Sequence, residues 1–194
     1  RGLGDVYKRQ VAMCYETGIQ VTSLPGAAAC ITALTLSGLP TRRFAFEAFL
    51  PSDKKERAVV LEELKQETRT IILYEAPHRL VKTLEELLEK LGDRKISLCR
   101  ELTKKHETVF RGSLLEAFSW YKENPPKGEC VMVLAGRSRE EIEQEARQKW
   151  EDMPLEEHME YYMSQGIDKK EAMKLVAKDR GISKRDVYQA LLKN

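Results

Sequence analysis

Apolar positions recur along the chain in two rhythms. Short runs at residues 70–73 (TIIL), 95–99 (KISLC), 108–111 (TVFR) and 129–135 (ECVMVLA) read as strands. Residues 44–50 alternate apolar and polar and read as another, as do residues 19–24. Helical spacing governs the stretches between them. Val11, Ala12 and Tyr15 resemble the last turns of a helix, with Gly18 as its C-cap. Residues 27–37 form a helix of mostly small side chains, capped by Gly38 and kept from continuing by Pro40. Asp53 or Ser52 caps an amphipathic helix through about Gln66, with Val59, Val60, Leu61 and Leu64 on its apolar face. From Pro77 a fourth helical pattern places Leu80, Val81, Leu84, Leu87, Leu88 and Leu91 on one side, and residues 114–121 form a fifth. Strand–helix alternation over residues 19–136 predicts an α/β fold. The strands at 95–99 and 108–111 have no helix between them, so they are expected to pair antiparallel and make the sheet mixed. Gly112 is expected to break the second of them.

The remainder has a different texture. Residues 137–153 are highly charged and read as a solvated helix or connector. Residues 155–164, 169–178 and 184–193 follow as short helical patterns separated by Gly166 and the turn at 179–182. Ala172, Leu175, Val176 and Ala177, with Val187, Ala190 and Leu191, are expected to share a small core in a helix-turn-helix layout, Ser183 capping the last helix. Residues 1–10 fit poorly with the rest of the chain and read as a non-native leader. A domain seldom begins at the end of a helix, so the natural chain is expected to extend upstream.

Composition narrows the reading. A chain of 194 residues holds one sizeable domain and an appendage. Charged residues make up 33% of it, yet the net charge is only +2, so any basic surface must be local. From residue 169 onward Lys169, Lys170, Lys174, Lys178, Arg180, Lys184, Arg185 and Lys193 outnumber Glu171, Asp179 and Asp186. This end suits phosphates or is simply a solvated face. No run of about 18 apolar residues occurs, so no membrane span is expected. Cys14, Cys30, Cys99 and Cys130 lie too far apart for a zinc pattern, and no metal is expected. They read as reduced thiols of a cytoplasmic protein. Polar groups collect after two strands: Tyr74, Glu75, His78 and Arg79 after the first, then Arg100, Glu101 and Lys104 after the second. In open α/β sheets ligands bind beyond such strand ends, although ordinary strand–helix junctions look the same. Gly26, Ala27 and Ala28 are small enough to let a ligand or another backbone come close.

Five segments carry more than any one of these signals: LPGAAACITALTLSGLP, FEAFLPSDKKER, YEAPHR, RELTKKHETVFRG and KGECVMVLAG. In this order and spacing they resemble the branch of the tetrapyrrole methylase superfamily that methylates ribose 2′-hydroxyls in ribosomal RNA. GIDKKEAMKLVAKDRGISKRDVYQAL resembles that branch's small helical domain. The resemblance implies an S-adenosylmethionine-dependent enzyme acting on a decoding-region cytidine of 16S rRNA in the small ribosomal subunit, and it suggests a homodimer. The family fold is two α/β lobes with the donor between them. This chain then divides into a leader (1–10), a remnant of the first lobe (11–24), a mixed-sheet C-terminal lobe (25–136), a charged connector (137–153) and a small all-helical domain (154–194). Lacking most of the first lobe, it is not expected to be active alone.

Carried over by position, Gly26, Ala27 and Ala28 match the segment that approaches the donor, and Tyr74, Glu75 and Leu102 match the wall of its adenosine pocket. Ala76 stands where the family usually has serine. Glu101 and His78 are the candidates for a base near the ribose hydroxyl. Arg79, Arg100, Lys104, Arg111, Lys184 and Arg185 are candidates for contacting RNA. Two alternatives stay open: a methyltransferase acting on a cobalamin or siroheme precursor, and a non-catalytic RNA-binding protein.

Overall fold

The computed structural model describes residues 3–151 and 153–192, so Arg1 and Gly2 of the leader, Asp152 of the connector, and Lys193 and Asn194 of the tail lie outside it. Its centre is a five-stranded sheet in the order β1-β2-β5-β3-β4. The strands are β1 (Phe44–Phe49), β2 (Thr70–Glu75), β3 (Lys95–Arg100), β4 (Thr108–Ser113) and β5 (Cys130–Leu134). Among the described strands only β1 and β2 pair parallel; β2–β5, β5–β3 and β3–β4 are antiparallel, so the sheet is mixed as expected. β2 and β5 are apolar almost without interruption because both faces of the sheet are covered there.

One face carries α2 (Ala29–Ser37), whose Ala33 and Leu34 pack on Ile72, Cys99, Val131 and Val133. Against the other lie α3 (Lys54–Gln66), α4 (Leu80–Leu91) and α5 (Leu114–Glu123). Leu80, Leu84, Leu87 and Leu91 of α4 follow a helical stripe and join Leu61, Leu64, Ile71, Leu73, Leu98 and Met132 in the larger core. Truncating one such leucine to alanine costs about 2–5 kcal/mol, because the packed neighbours collapse only partly into the space.

After β5 come α6 (Arg139–Glu151) and three short helices: α7 (Leu155–Met163), α8 (Lys169–Arg180) and α9 (Lys184–Leu192). These last form a separate core from Met159, Ala172, Val176, Ala177 and Val187. Asp168 caps α8, Gly181 ends it in the left-handed conformation, and Ser183 and Asp186 cap α9 reciprocally. Leu175 is half-buried, whereas Ala190 faces solvent, so the shared core is narrower than the spacing suggested.

Several expectations need correction. Residues 19–24 are exposed and form no strand, since none of the described strands offers them a ladder partner. Before them α1 (Leu3–Glu16) contains the helical turns expected at Val11, Ala12 and Tyr15 and also takes in residues 3–10. The helix after Pro77 begins only at Leu80, with residues 77–79 forming a turn. Val59 of α3 is exposed. Gly112 does not break β4 but lies within it, paired with Ile96. A Cβ there would lie 2.4 Å from the Glu116 carboxylate, so the glycine leaves room for the Ser113–Glu116 capping box that starts α5.

Candidate functional site

Pairing directions put the C-terminal ends of β1, β2 and β3 on one edge of the sheet. The two polar strand ends seen in the sequence therefore share that edge. The N-terminal turn of α2 reaches it too: the backbone N–H of Cys30 donates to the Tyr74 hydroxyl at 3.1 Å. Burial pushes the Tyr74 phenol above its ordinary pKa, which keeps it protonated. Phe46 and Phe49 meet the Tyr74 ring edge-on at 5.1 and 5.6 Å. Strict alternation would send residues 46 and 49 to opposite faces. A bulge between Phe46 and Ala48, with Ala48 at φ 55°, turns Phe49 onto the same face as Phe46.

Leu102 packs against the same cluster under α2 as Tyr74 does. Phe46, Phe49 and Tyr74 thus form an aromatic shelf at the N-terminal turn of α2, into which the residue 24–28 loop leads. Gly26, Ala27 and Ala28 are exposed there, and a Cβ on Gly26 would have nothing within 4 Å. The sequence reading missed Phe46, Phe49 and the Cys30 amide. The aromatic pair FEAF was the available signal, but the bulge that unites the two rings leaves no compositional trace.

Glu75 does not join the shelf. It follows Tyr74 directly and so faces the other side, almost fully buried. One carboxylate oxygen accepts from the Ala76 amide at 2.8 Å and the other from Thr83 Oγ1 at 2.6 Å. Thr83 in turn accepts from Arg57, which is paired with Glu86. This network ties β2 to α3 and α4. Arg79 stands 3.7 Å from Glu75 on that side.

Glu101 and Lys104 belong to the turn after β3. Glu101 and Thr103 both adopt positive φ, at 52° and 64°. The Glu101 carboxylate accepts from the Glu129 amide at 2.9 Å and pairs with Lys104 at 3.2 Å, while Lys104 also reaches Glu129. These contacts, the Glu129 amide foremost, hold the Glu101 carboxyl below its ordinary pKa. Gly128, at φ +84°, accommodates that carboxylate, since a Cβ would lie 2.2 Å from it. Glu101 is thus a tie between two loops, and the same contacts make it a weaker base.

His78 is exposed on the turn before α4, without a side-chain hydrogen bond among the described residues. Arg100 donates to Thr108 and the Lys127 carbonyl. Arg111 donates twice to the Leu36 carbonyl and so closes the C-terminal end of α2. Lys184 and Arg185 open α9 in the helical tail. The structure thus sets Tyr74 and Leu102 against one cluster under α2, at whose N-terminus residues 26–28 arrive, but engages Glu75, Arg100 and Arg111 elsewhere. Among the described residues no cluster of three or more His, Cys, Asp or Glu is placed to hold a metal, and no helix is long and apolar enough to cross a membrane.

A mixed sheet with a small-residue loop and an aromatic shelf at its C-terminal edge suits a methylase lobe. The family model for Tetrapyrrole (Corrin/Porphyrin) Methylases matches residues 2–117, and the chain belongs to that family. Its curated relatives share a narrower name, Ribosomal RNA small subunit methyltransferase I. The protein of that name from Halalkalibacterium halodurans is 47% identical over 178 residues, which are 92% of this chain and 61% of the relative. That from Bacillus subtilis is 46% identical over 175 residues, 90% of this chain and 60% of the relative. The chain thus spans about three fifths of the length of these relatives. Among solved structures, a cobalt precorrin-4 methyltransferase matches with a TM-score of 0.50 at 14% identity, over 69% of this chain and 59% of that one. At that identity the likeness concerns the fold alone.

Proposed function

We propose that this chain is the C-terminal lobe and helical tail of an S-adenosylmethionine-dependent enzyme that methylates a ribose 2′-hydroxyl, on a cytidine of 16S rRNA, in the bacterial cytoplasm. The observation that carries this reading is the 46–47% identity to relatives named for ribosomal RNA methylation, which extends into the basic helical tail. A homodimer agrees with the extensive apolar surface of the N-terminal arm, where Tyr7, Val11, Met13, Tyr15 and Leu24 are exposed.

The edge-shelf fits one side of a nucleoside. Tyr74 and Leu102 offer an apolar wall, and the open loop at Gly26, Ala27 and Ala28 lets a ligand approach backbone amides. When bound, the donor would supply a methyl group already activated on a sulfonium. The protein's share is then orientation: holding the ribose oxygen in line and excluding water. A ribose hydroxyl is a weak acid, so a proton acceptor at the edge would help. Of the two candidates His78 suits this better, because Glu101 is committed to the Glu129 amide and Lys104.

The test uses the polypeptide extended to the length of its relatives, methyl-labelled donor and small ribosomal subunits lacking native methylation. Label in an alkali-resistant dinucleotide is expected, because a capped 2′-oxygen cannot attack its neighbouring phosphodiester. Donor binding without labelled RNA would overturn the substrate, and absence of donor binding would overturn the activity.

A further inference from the structure

At the opposite edge of the sheet from the aromatic shelf lies a cleft of about 480 Å³ whose lining includes Arg42, Arg43, Arg69 and Arg137. Its walls are fixed by backbone contacts. The Arg137 amide donates to the Glu67 carbonyl at 2.7 Å. Residues 68–69 pass so close to Gly136 that a Cβ there would lie 2.3–2.4 Å from their backbone. Thr70 Oγ1 donates to the Pro40 carbonyl at 2.6 Å, which anchors the loop bearing Arg42 and Arg43.

Two of the four guanidinium groups are neutralised. Arg69 forms a forked pair with Glu67, and its hydrogen bonds bring the Glu67 carboxyl down to about 2. Arg137 binds Gln66 and Glu145. Arg42 and Arg43 are exposed, and neither has a carboxylate partner among the described residues. Glu140 is the acidic group on the rim. Converging guanidinium groups repel one another, and a polyanion relieves that repulsion. A guanidinium also matches a phosphate through paired N–H donors. Among the described residues the cleft's lining contains no aromatic ring on which a base could stack. Backbone phosphates therefore fit this cleft better than a nucleobase does.

We infer that Arg42 and Arg43 hold adjacent phosphates of the RNA strand, at a contact remote from the methyl-transfer edge; this rests on the proposed RNA-methylating activity. α6 starts at the rim of the cleft and packs on α8 at its other end, about 20 Å away at the ordinary helical rise. RNA held in the cleft is thereby directed toward the basic tail.

The test is binding of a fluorescein-labelled, unstructured single-stranded RNA to the 194-residue chain, followed by polarisation between 50 and 200 mM salt. R42A/R43A is expected to bind more weakly, and its plot of log affinity against log salt should be shallower by about 1.4, the loss of two single-strand phosphate contacts. R42K/R43K keeps the charges and should keep the slope. An unchanged R42A/R43A, or a wild-type chain that binds no RNA at the lowest salt, overturns the proposal. So does an equal loss in K54A/K82A, which alters the separate groove between α3 and α4. Labelling by the extended polypeptide is scored independently, so the cleft and the activity can fail separately.

Discussion

Tyr74 and Glu75 are neighbours in sequence and strangers in space. In a strand, adjacent side chains leave opposite faces, so one accepts a hydrogen bond from α2 while the other is buried against α4. A similar division separates the two candidate bases. Glu101 is held by an amide and an ammonium, whereas His78 projects from a turn into solvent. In single-turnover methylation by the extended polypeptide, Glu101→Gln should stay within about threefold of wild type and His78→Gln should fall by about 10²-fold, the lower range for acid–base catalysis. The reverse order would return the role to Glu101. Part of this edge was legible: the two strand-end clusters of polar groups and the exposed small residues at 26–28. The two-residue period also contained the separation of Tyr74 from Glu75. What it could not contain was the direction of Glu101, which depends on Glu129 and Gly128 arriving from a strand placed beside it only by the fold.

Among elements, the joint between α3 and α4 turns on a residue that the apolar pattern does not reveal. Arg94 is buried, donating to the carbonyls of Leu91, Leu64 and Lys65 at the C-terminal ends of both helices. Its positive charge lies where the two helix dipoles are negative, and burial pulls its pKa down from the ordinary value. Arg94→Ala should lower stability by about 2–3 kcal/mol, the scale of losing charge-assisted hydrogen bonds to buried carbonyls, as measured by urea denaturation. A change below about 0.5 kcal/mol, the size of an ordinary surface substitution, would mean that water replaces the guanidinium at no cost. Most elements could be located from sequence because β2, β5 and α4 carry uninterrupted or stripe-like apolar patterns. Residues 19–24 show the limit of that logic. Alternation marks the ability to join a sheet, and a ladder partner decides whether it happens.

At the scale of the whole molecule, the sheet and the tail have separate cores, and the tail has its own sensitivity to acid. His158 is fully buried, stacked on Trp150 at 3.9 Å, with Nδ1 accepting from Arg180 and Nε2 lying 3.3 Å from Asp179. Tyr162 also donates to Asp179. Burial first, and Arg180 second, hold the His158 pKa below its ordinary value despite Asp179. The unfolded tail therefore takes up the proton more readily than the folded one. Its stabilising contribution is complete above about pH 6.5 and declines as pH falls below that toward the folded-state value. Protection of the amides, corrected for the slower intrinsic exchange in acid, should fall in α7, α8 and α9 before it does so in β2 and β5, and His158→Gln should remove most of that difference. Simultaneous loss of protection in both cores would refute it.

The bulge in β1 also affects how molecules meet one another. β1 is an edge strand bearing two exposed phenylalanines, a combination that invites strands of other copies to add on. The extra residue interrupts the regular row of backbone donors and acceptors at Ala48, so an incoming strand finds no straight template. The kink that gathers the aromatic shelf thus also guards the chain against aggregation, and straightening β1 would trade solubility for regularity.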